Sequence, residues 1–192
     1  MERRALGRRW AAWALQASLA ACAPSQGFRP AGMLDAERPR ELGVAFSSVE
    51  ARPYVEETAQ YLGQAWWTLR LDERWALTTL AAFDSSAAAA GAALRFEIAS
   101  GQRAALAAEV EGGVAWAAVG VPATLRLWRG SALYTAPRLG TWGSDITPFV
   151  PLGVSASITR SLVLRAEAEL SWADFRYYNR RLHWGFAIAH QW

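Results

Sequence analysis

Residues 161–173 read Ser-Leu-Val-Leu-Arg-Ala-Glu-Ala-Glu-Leu-Ser-Trp-Ala. Leu162, Leu164, Ala166, Ala168, Leu170 and Trp172 fall on one face of an extended chain. Ser161, Val163, Arg165, Glu167, Glu169 and Ser171 fall on the other. A period of two is the mark of a β-strand with two unlike surroundings. The last twelve residues repeat it, with Leu182, Trp184, Phe186, Ile188 and Trp192 opposite Arg181, His183, Gly185, Ala187, Ala189 and Gln191. Leu94, Phe96 and Ile98 oppose Arg95 and Glu97, and Val121, Ala123, Leu125 and Leu127 oppose Thr124 and Arg126.

Working outward from these stretches, turn signals divide residues 41–192 into about ten strands, with eight as the alternative. They are expected near 41–50, 61–71, 74–83, 91–99, 103–111, 116–128, 131–142, 146–158, 161–173 and 181–192. Tight connections at Asp72-Glu73, Gly101-Gln102, Arg129-Gly130 and Thr159-Arg160 alternate with longer ones. Short turns at one end and longer loops at the other are the build of a membrane barrel. The expected fold is all-β, a closed antiparallel up-and-down transmembrane barrel. An even strand count puts both termini on the short-turn, periplasmic side.

Composition agrees. The chain has 192 residues, of which 53% are hydrophobic and only 19% charged, which excludes a disordered chain. Past the N-terminus no run of about 18 apolar residues occurs, so a helical membrane protein is excluded. The single Cys excludes a disulfide scaffold and a Cys-based zinc site. All basic residues are Arg. Removing residues 1–21 removes a net three positive charges and leaves none. The pI of 9.5 therefore reflects that segment, and the remainder carries no footprint for nucleic acid.

Alternation also fits a soluble barrel with its apolar face inward. Three features favour lipid. The less apolar face is small, with Ala93, Ala105, Ala107, Ala118, Gly120, Gly153, Ser155, Ser157, Gly185 and Ala187. A narrow lumen needs such residues, whereas a wet surface would be crowded with long polar ones. The charges on that face nearly balance: Arg70, Arg95, Arg126, Arg138 and Arg165 against Asp72, Glu97, Glu109, Glu111, Glu167 and Glu169. In a confined lumen they pair as a network. Aromatics gather at strand ends, at Trp75, Phe83, Trp172, Trp184 and Trp192. Trp184 and Trp192, eight residues apart on one face, are separated by roughly 20 Å along the membrane normal, close to the height of the band that aromatic girdles flank.

Residues 1–9 are basic and Trp10–Ala21 apolar, as in a secretory signal. Leu19-Ala20-Ala21-Cys22 resembles the bacterial lipobox. That resemblance implies cleavage before Cys22, its lipidation, and, with Ala23 next, sorting to the outer membrane. The other reading is an A-x-A site at Ala21-Cys22-Ala23 with cleavage before Pro24. Residues 22–40, with Pro24, Pro30 and Pro39, read as a flexible periplasmic linker. An alternating final strand ending on Trp192 resembles the C-terminal signature of outer-membrane β-barrel proteins. It implies recognition by the barrel insertion machinery and a bacterial outer-membrane location, with lipids and lipopolysaccharide as surroundings.

No metal-ligand spacing, phosphate-binding Gly loop or nucleophile elbow is present, and no cofactor is expected. His183 faces the lumen beside Glu167 and Glu169. It reads first as a hydrogen-bonded lumen residue and second as the centre of a lipid-modifying enzyme. His190 lies on the apolar face near the periplasmic end, at head-group level. The loop Asp174–Arg181 reads first as an ordinary hairpin loop with interfacial aromatics and second as a site whose Arg and Tyr suit lipopolysaccharide phosphates or sugars. The leading expectation is a structural or interaction barrel with a filled lumen, neither an enzyme nor a general porin. The alternatives are the His183 enzyme and a periplasmic lipoprotein with a soluble, ligand-binding barrel.

Overall fold

Strands that alternate and are joined by short turns pair with their chain neighbours. In the computed structural model they do so around a complete circle. Residues 28–32, 34–49, 60–83, 88–113, 116–128, 130–142, 145–174 and 179–192 are described. The strands are β1 (Arg40–Val49), β2 (Gln60–Arg70), β3 (Trp75–Phe83), β4 (Ala88–Ser100), β5 (Ala104–Gly113), β6 (Trp116–Gly120), β7 (Ala123–Arg126), β8 (Ser131–Thr135), β9 (Arg138–Trp142), β10 (Asp145–Ser157), β11 (Leu162–Asp174) and β12 (Asn179–Gln191). β1 pairs with both β2 and β12, so the sheet closes. Arg40 and Trp192 exchange backbone hydrogen bonds at the seam.

The twelve stretches make ten staves. β6 and β7 are halves of one stave, interrupted at Val121-Pro122, and β8 and β9 are halves of the next, interrupted at Ala136-Pro137. Register runs through both breaks: Gly120 opposes Arg138, and Ala123 opposes Thr135. Proline lacks the amide that a ladder needs, so the strand label lapses while the path continues. The ten expected strands are thus present. Their bounds differ by at most three residues, apart from these two breaks.

The short turns are held by their own side chains. Asp72 Oδ1 accepts from the amides of Arg74 (2.7 Å) and Trp75 (2.8 Å), and Thr159 Oγ1 accepts from Ser161 (3.2 Å) and Leu162 (3.0 Å). These are side-chain turns of the kind Asp and Thr favour. Gly130 has φ 76°, a left-handed conformation that leaves glycine as the fitting residue at that bend.

The apolar face points outward. Leu42, Val44, Phe46, Leu152, Val154, Leu164, Phe186 and Ile188 are all exposed, Phe186 to 60%. Outward positions of β1 and β10–β12 carry no charge between Leu42 and Phe46, Ile146 and Ala156, Leu162 and Leu170, or Leu182 and His190. In water such a belt would be a large unsatisfied apolar surface; in hydrocarbon it is matched. A closed sheet also leaves no edge amides facing lipid. Aromatics flank the belt: Trp75, Trp128 and Trp192 at the turn end, Phe46, Tyr61, Phe83 and Trp184 at the loop end. The Trp172 side chain, residues 1–27 and the centre of the 174–181 loop lie outside the described residues.

Residues 22–40 were expected as a free linker, and here the structure differs. Phe28 and Ala31 are fully buried and Arg29 nearly so, all inside the barrel. The run ascends from Leu34 at the turn end to Phe28 near mid-height. It resists sequence reading because an irregular peptide held by distant residues has no periodicity of its own.

Replacing outward Phe186 with Arg, at mid-height of β12, should cost roughly 2–4 kcal/mol of barrel stability. Urea unfolding of the protein in lipid vesicles would measure the loss.

Candidate functional site

Inward positions of β1, β4, β5, β9 and β11 bring Glu41, Arg95, Glu109, Glu111, Arg138, Arg165, Glu167 and Glu169 into one buried cluster, with Glu169 wholly excluded from solvent. Antiparallel register makes the first pairing inevitable. Arg95 stands opposite Glu109, and its Nη2 meets Glu109 Oε2 at 2.6 Å. Arg138 joins two strands, with Glu169 at 2.8 Å and Glu111 at 3.2 Å. Arg165 grips Glu41 through two bonds, at 2.8 and 2.6 Å. Glu41 also accepts from Trp66 Nε1 at 2.9 Å and Gln191 Nε2 at 2.8 Å. Its carboxylate therefore has a donor for nearly every lone pair, the condition under which a charge tolerates burial.

The off-sheet segment completes this cluster. Arg29 Nη2 lies 2.6 Å from Glu111 Oε2 and 3.4 Å from Glu109 Oε1. It separates two carboxylates that share one strand face and would otherwise repel. Phe28 stacks on Trp66 with 6.3 Å between ring centroids and packs with Ala187 and Ala189, while Ala31 packs with Ala105 and Ala107. At the turn end a cavity of about 430 Å³ remains, lined by Arg29, Glu41, Arg95, Thr124, Arg126 and Gln191 among others. The lumen is thus filled at mid-height and open below it.

The expected charge network is placed as follows. Arg95, Glu109, Arg138, Arg165, Glu167 and Glu169 are in the cluster. Arg70 is half-buried near the turn end, donating to the carbonyls of Asp72 (2.8 Å) and Leu34 (2.9 Å). Arg126 is exposed at the turn-end rim, bonded to the Gly101 carbonyl and, at 3.5 Å, to Ser100. Glu97 is half-buried beside the bulge where β4 loses register with β5. Sequence reasoning missed Glu41 and Arg29. Glu41 opens β1, beyond the clear alternation, and Arg29 belongs to no strand.

Two glycines make room for ring side chains. Gly43 opposes Trp66 and Gly153 opposes Tyr134, and a Cβ on either glycine would collide with the facing ring. The rings lie flat over the bare backbone and brace the inner wall.

His183 is buried in the lumen, opposite Glu169 across the β11–β12 pair. Its Nε2 lies 3.0 Å from Ser171 Oγ. Ser171 is also buried, so the pair faces the lumen and not the lipid. Among the described residues no group of three His, Cys, Asp or Glu is arranged to hold a metal ion. Cys22 lies outside the described residues.

Glu41→Gln should destabilise the barrel by roughly 3–5 kcal/mol, because Arg165 then stays buried without its counter-charge. Replacing both, as Glu41→Leu with Arg165→Met, should recover most of the loss. A urea-unfolding double-mutant cycle in vesicles would read both effects.

No family model matches the chain, and no curated protein matches it. Solved structures do. A KdgM porin aligns at TM-score 0.51 and 5% identity, over 79% of this chain and 99% of that one. The KdgM porin in complex with disordered oligogalacturonate aligns at 0.52 and 5% identity, over 78% and 99%. Acinetobacter baumannii outer membrane protein Omp33 aligns at 0.47 and 8% identity, over 81% and 98%. At such identities the likeness concerns fold: the chain has the architecture of an outer-membrane β-barrel.

Proposed function

We propose that this chain is a small bacterial outer-membrane barrel with a structural or interaction role, not a general porin. The observation that carries this is the lumen. A KdgM porin shares the architecture, but here ion pairs and the Phe28–Ala31 run occupy the lumen at mid-height. The exposed apolar belt supports a bilayer location with outer-membrane lipids and lipopolysaccharide around it. Residues 1–21 would export the chain, Cys22 would carry lipid, and the final strand ending on Trp192 would engage the insertion machinery.

The test is conductance in planar bilayers. The natural chain should give no large, stable ohmic steps, whereas steps of porin size would overturn the closed-lumen reading.

The second reading is a lipid-modifying enzyme. The 3.0 Å contact between Ser171 and His183 favours it, since a base beside a hydroxyl is the start of a nucleophile. Its burial away from lipid speaks for a structural hydrogen bond instead. His183→Ala should leave the mass spectrum of lipid A unchanged; a changed profile would establish the enzyme.

A further inference from the structure

The contacts around Phe28–Leu34 are those of a bound ligand. A backbone running through a protein interior needs partners for its amides and carbonyls. Here wall side chains supply them. Glu167 Oε2 accepts from the Phe28 amide at 3.0 Å, and Arg165 donates to the Phe28 carbonyl at 2.8 Å. Arg95 donates to the carbonyls of Arg29 (3.4 Å) and Pro30. Thr124 Oγ1 accepts from the Ala31 amide at 2.6 Å, and Arg70 donates to the Leu34 carbonyl at 2.9 Å. These side chains stand on four strands, β2, β4, β7 and β11, and recognise main chain.

Side-chain selection is layered on top. Trp66 offers a flat face to an aromatic ring. Glu109 and Glu111 form a socket for a guanidinium. Ala105 and Ala107 pack against the small Ala31. Read in order, the wall receives an aromatic ring, a guanidinium and, after Pro30, a small side chain.

We propose that the lumen is a peptide-binding site for an aromatic-Arg-Pro-small sequence, with Phe28–Ala31 as its resident, exchangeable ligand. This deepens the interaction role proposed above and rests on that reading by naming the partner class, a peptide. Residues 32–39 tether the resident to β1. A short tether holds a ligand at an effective concentration in the millimolar range, so a free peptide competes only once the tether is cut or the resident's own anchor is removed. The exposed bend at Asp35, Ala36 and Glu37 is where a cut would spare the wall.

The experiment inserts a site-specific protease sequence between Ala36 and Glu37 of the full chain, in detergent. After cutting, the N-terminal piece should remain with the barrel through gel filtration. A fluorescent peptide of residues 28–34 should then replace it. The same peptide with Arg29→Ala should compete at least about 30-fold more weakly, as expected when one partner of a buried charge pair is removed. Loss of the piece on cutting with no binding of the labelled peptide would overturn the proposal, as would equal binding of the Arg29→Ala peptide. Should the insertion variant fail to fold, full-chain Phe28→Ala supplies the same test: the labelled peptide should bind it and not the natural chain, and failure to bind would also overturn the proposal. Conductance of uncut protein reports separately on the closed-lumen reading.

Discussion

A buried carboxylate survives only beside a cation or a set of donors, and this requirement organises the barrel interior. Among the described residues the wall buries Glu41, Glu109, Glu111, Glu167 and Glu169 but only Arg95, Arg138 and Arg165 to match them. Part of that excess negative charge sits at Glu109 and Glu111, two residues apart on one face of β5. Arg29 relieves it from outside the sheet. The position of the N-terminal segment thus follows from the charges of the wall, and the wall's tolerance of those charges depends on the segment. Arg95 and Glu109 tie neighbouring strands, but other ion pairs tie strands that are not neighbours, as when Arg138 on β9 holds Glu169 on β11, so the cluster braces the barrel across its width.

Space and charge are matched to each other. A cluster of long side chains leaves little room in a cross-section, and much of the inner face between the ions is accordingly Ala, Gly, Ser and Thr. At Ala105, Ala107, Ala187 and Ala189 the room left by small residues is taken up by Ala31 and Phe28. At Gly43 and Gly153 it is taken up by rings from the next strand. Smallness of the inward face therefore has two structural uses beyond a narrow bore.

Much of the architecture was legible because a two-sided strand writes its surroundings into every other residue. Leu164 against Arg165, or Phe186 against Ala187, tells inside from outside without any knowledge of partners. Turns were legible for a similar local reason: Asp72, Thr159 and Gly130 act within three or four positions. The site was legible only in part. Arg95 and Glu109 could be placed on the same face, yet nothing local says that Arg126 and Arg70 would bond carbonyls near the turn end. Nor does it say that Glu41 would receive Arg165 from 124 positions away. The inward course of Phe28–Leu34 is fixed wholly by such distant contacts. A stretch rich in Pro and Gly, lacking periodicity, reads as a linker whether it lies in solvent or in a lumen.

Pro122 and Pro137 lie in adjoining staves. The Ala107 amide bonds the Pro122 carbonyl, and the Val121 amide bonds the Pro137 carbonyl, each at 2.9 Å. In an ordinary antiparallel ladder each of these bonds is reciprocated by the facing residue's amide, which proline lacks. Two rungs are therefore missing side by side, and β10, the stave beyond, carries two further prolines, Pro148 and Pro151. Such a line of reduced stitching gives the wall a built-in compliance. Radial breathing of the cylinder would draw on this proline-bearing part of the wall.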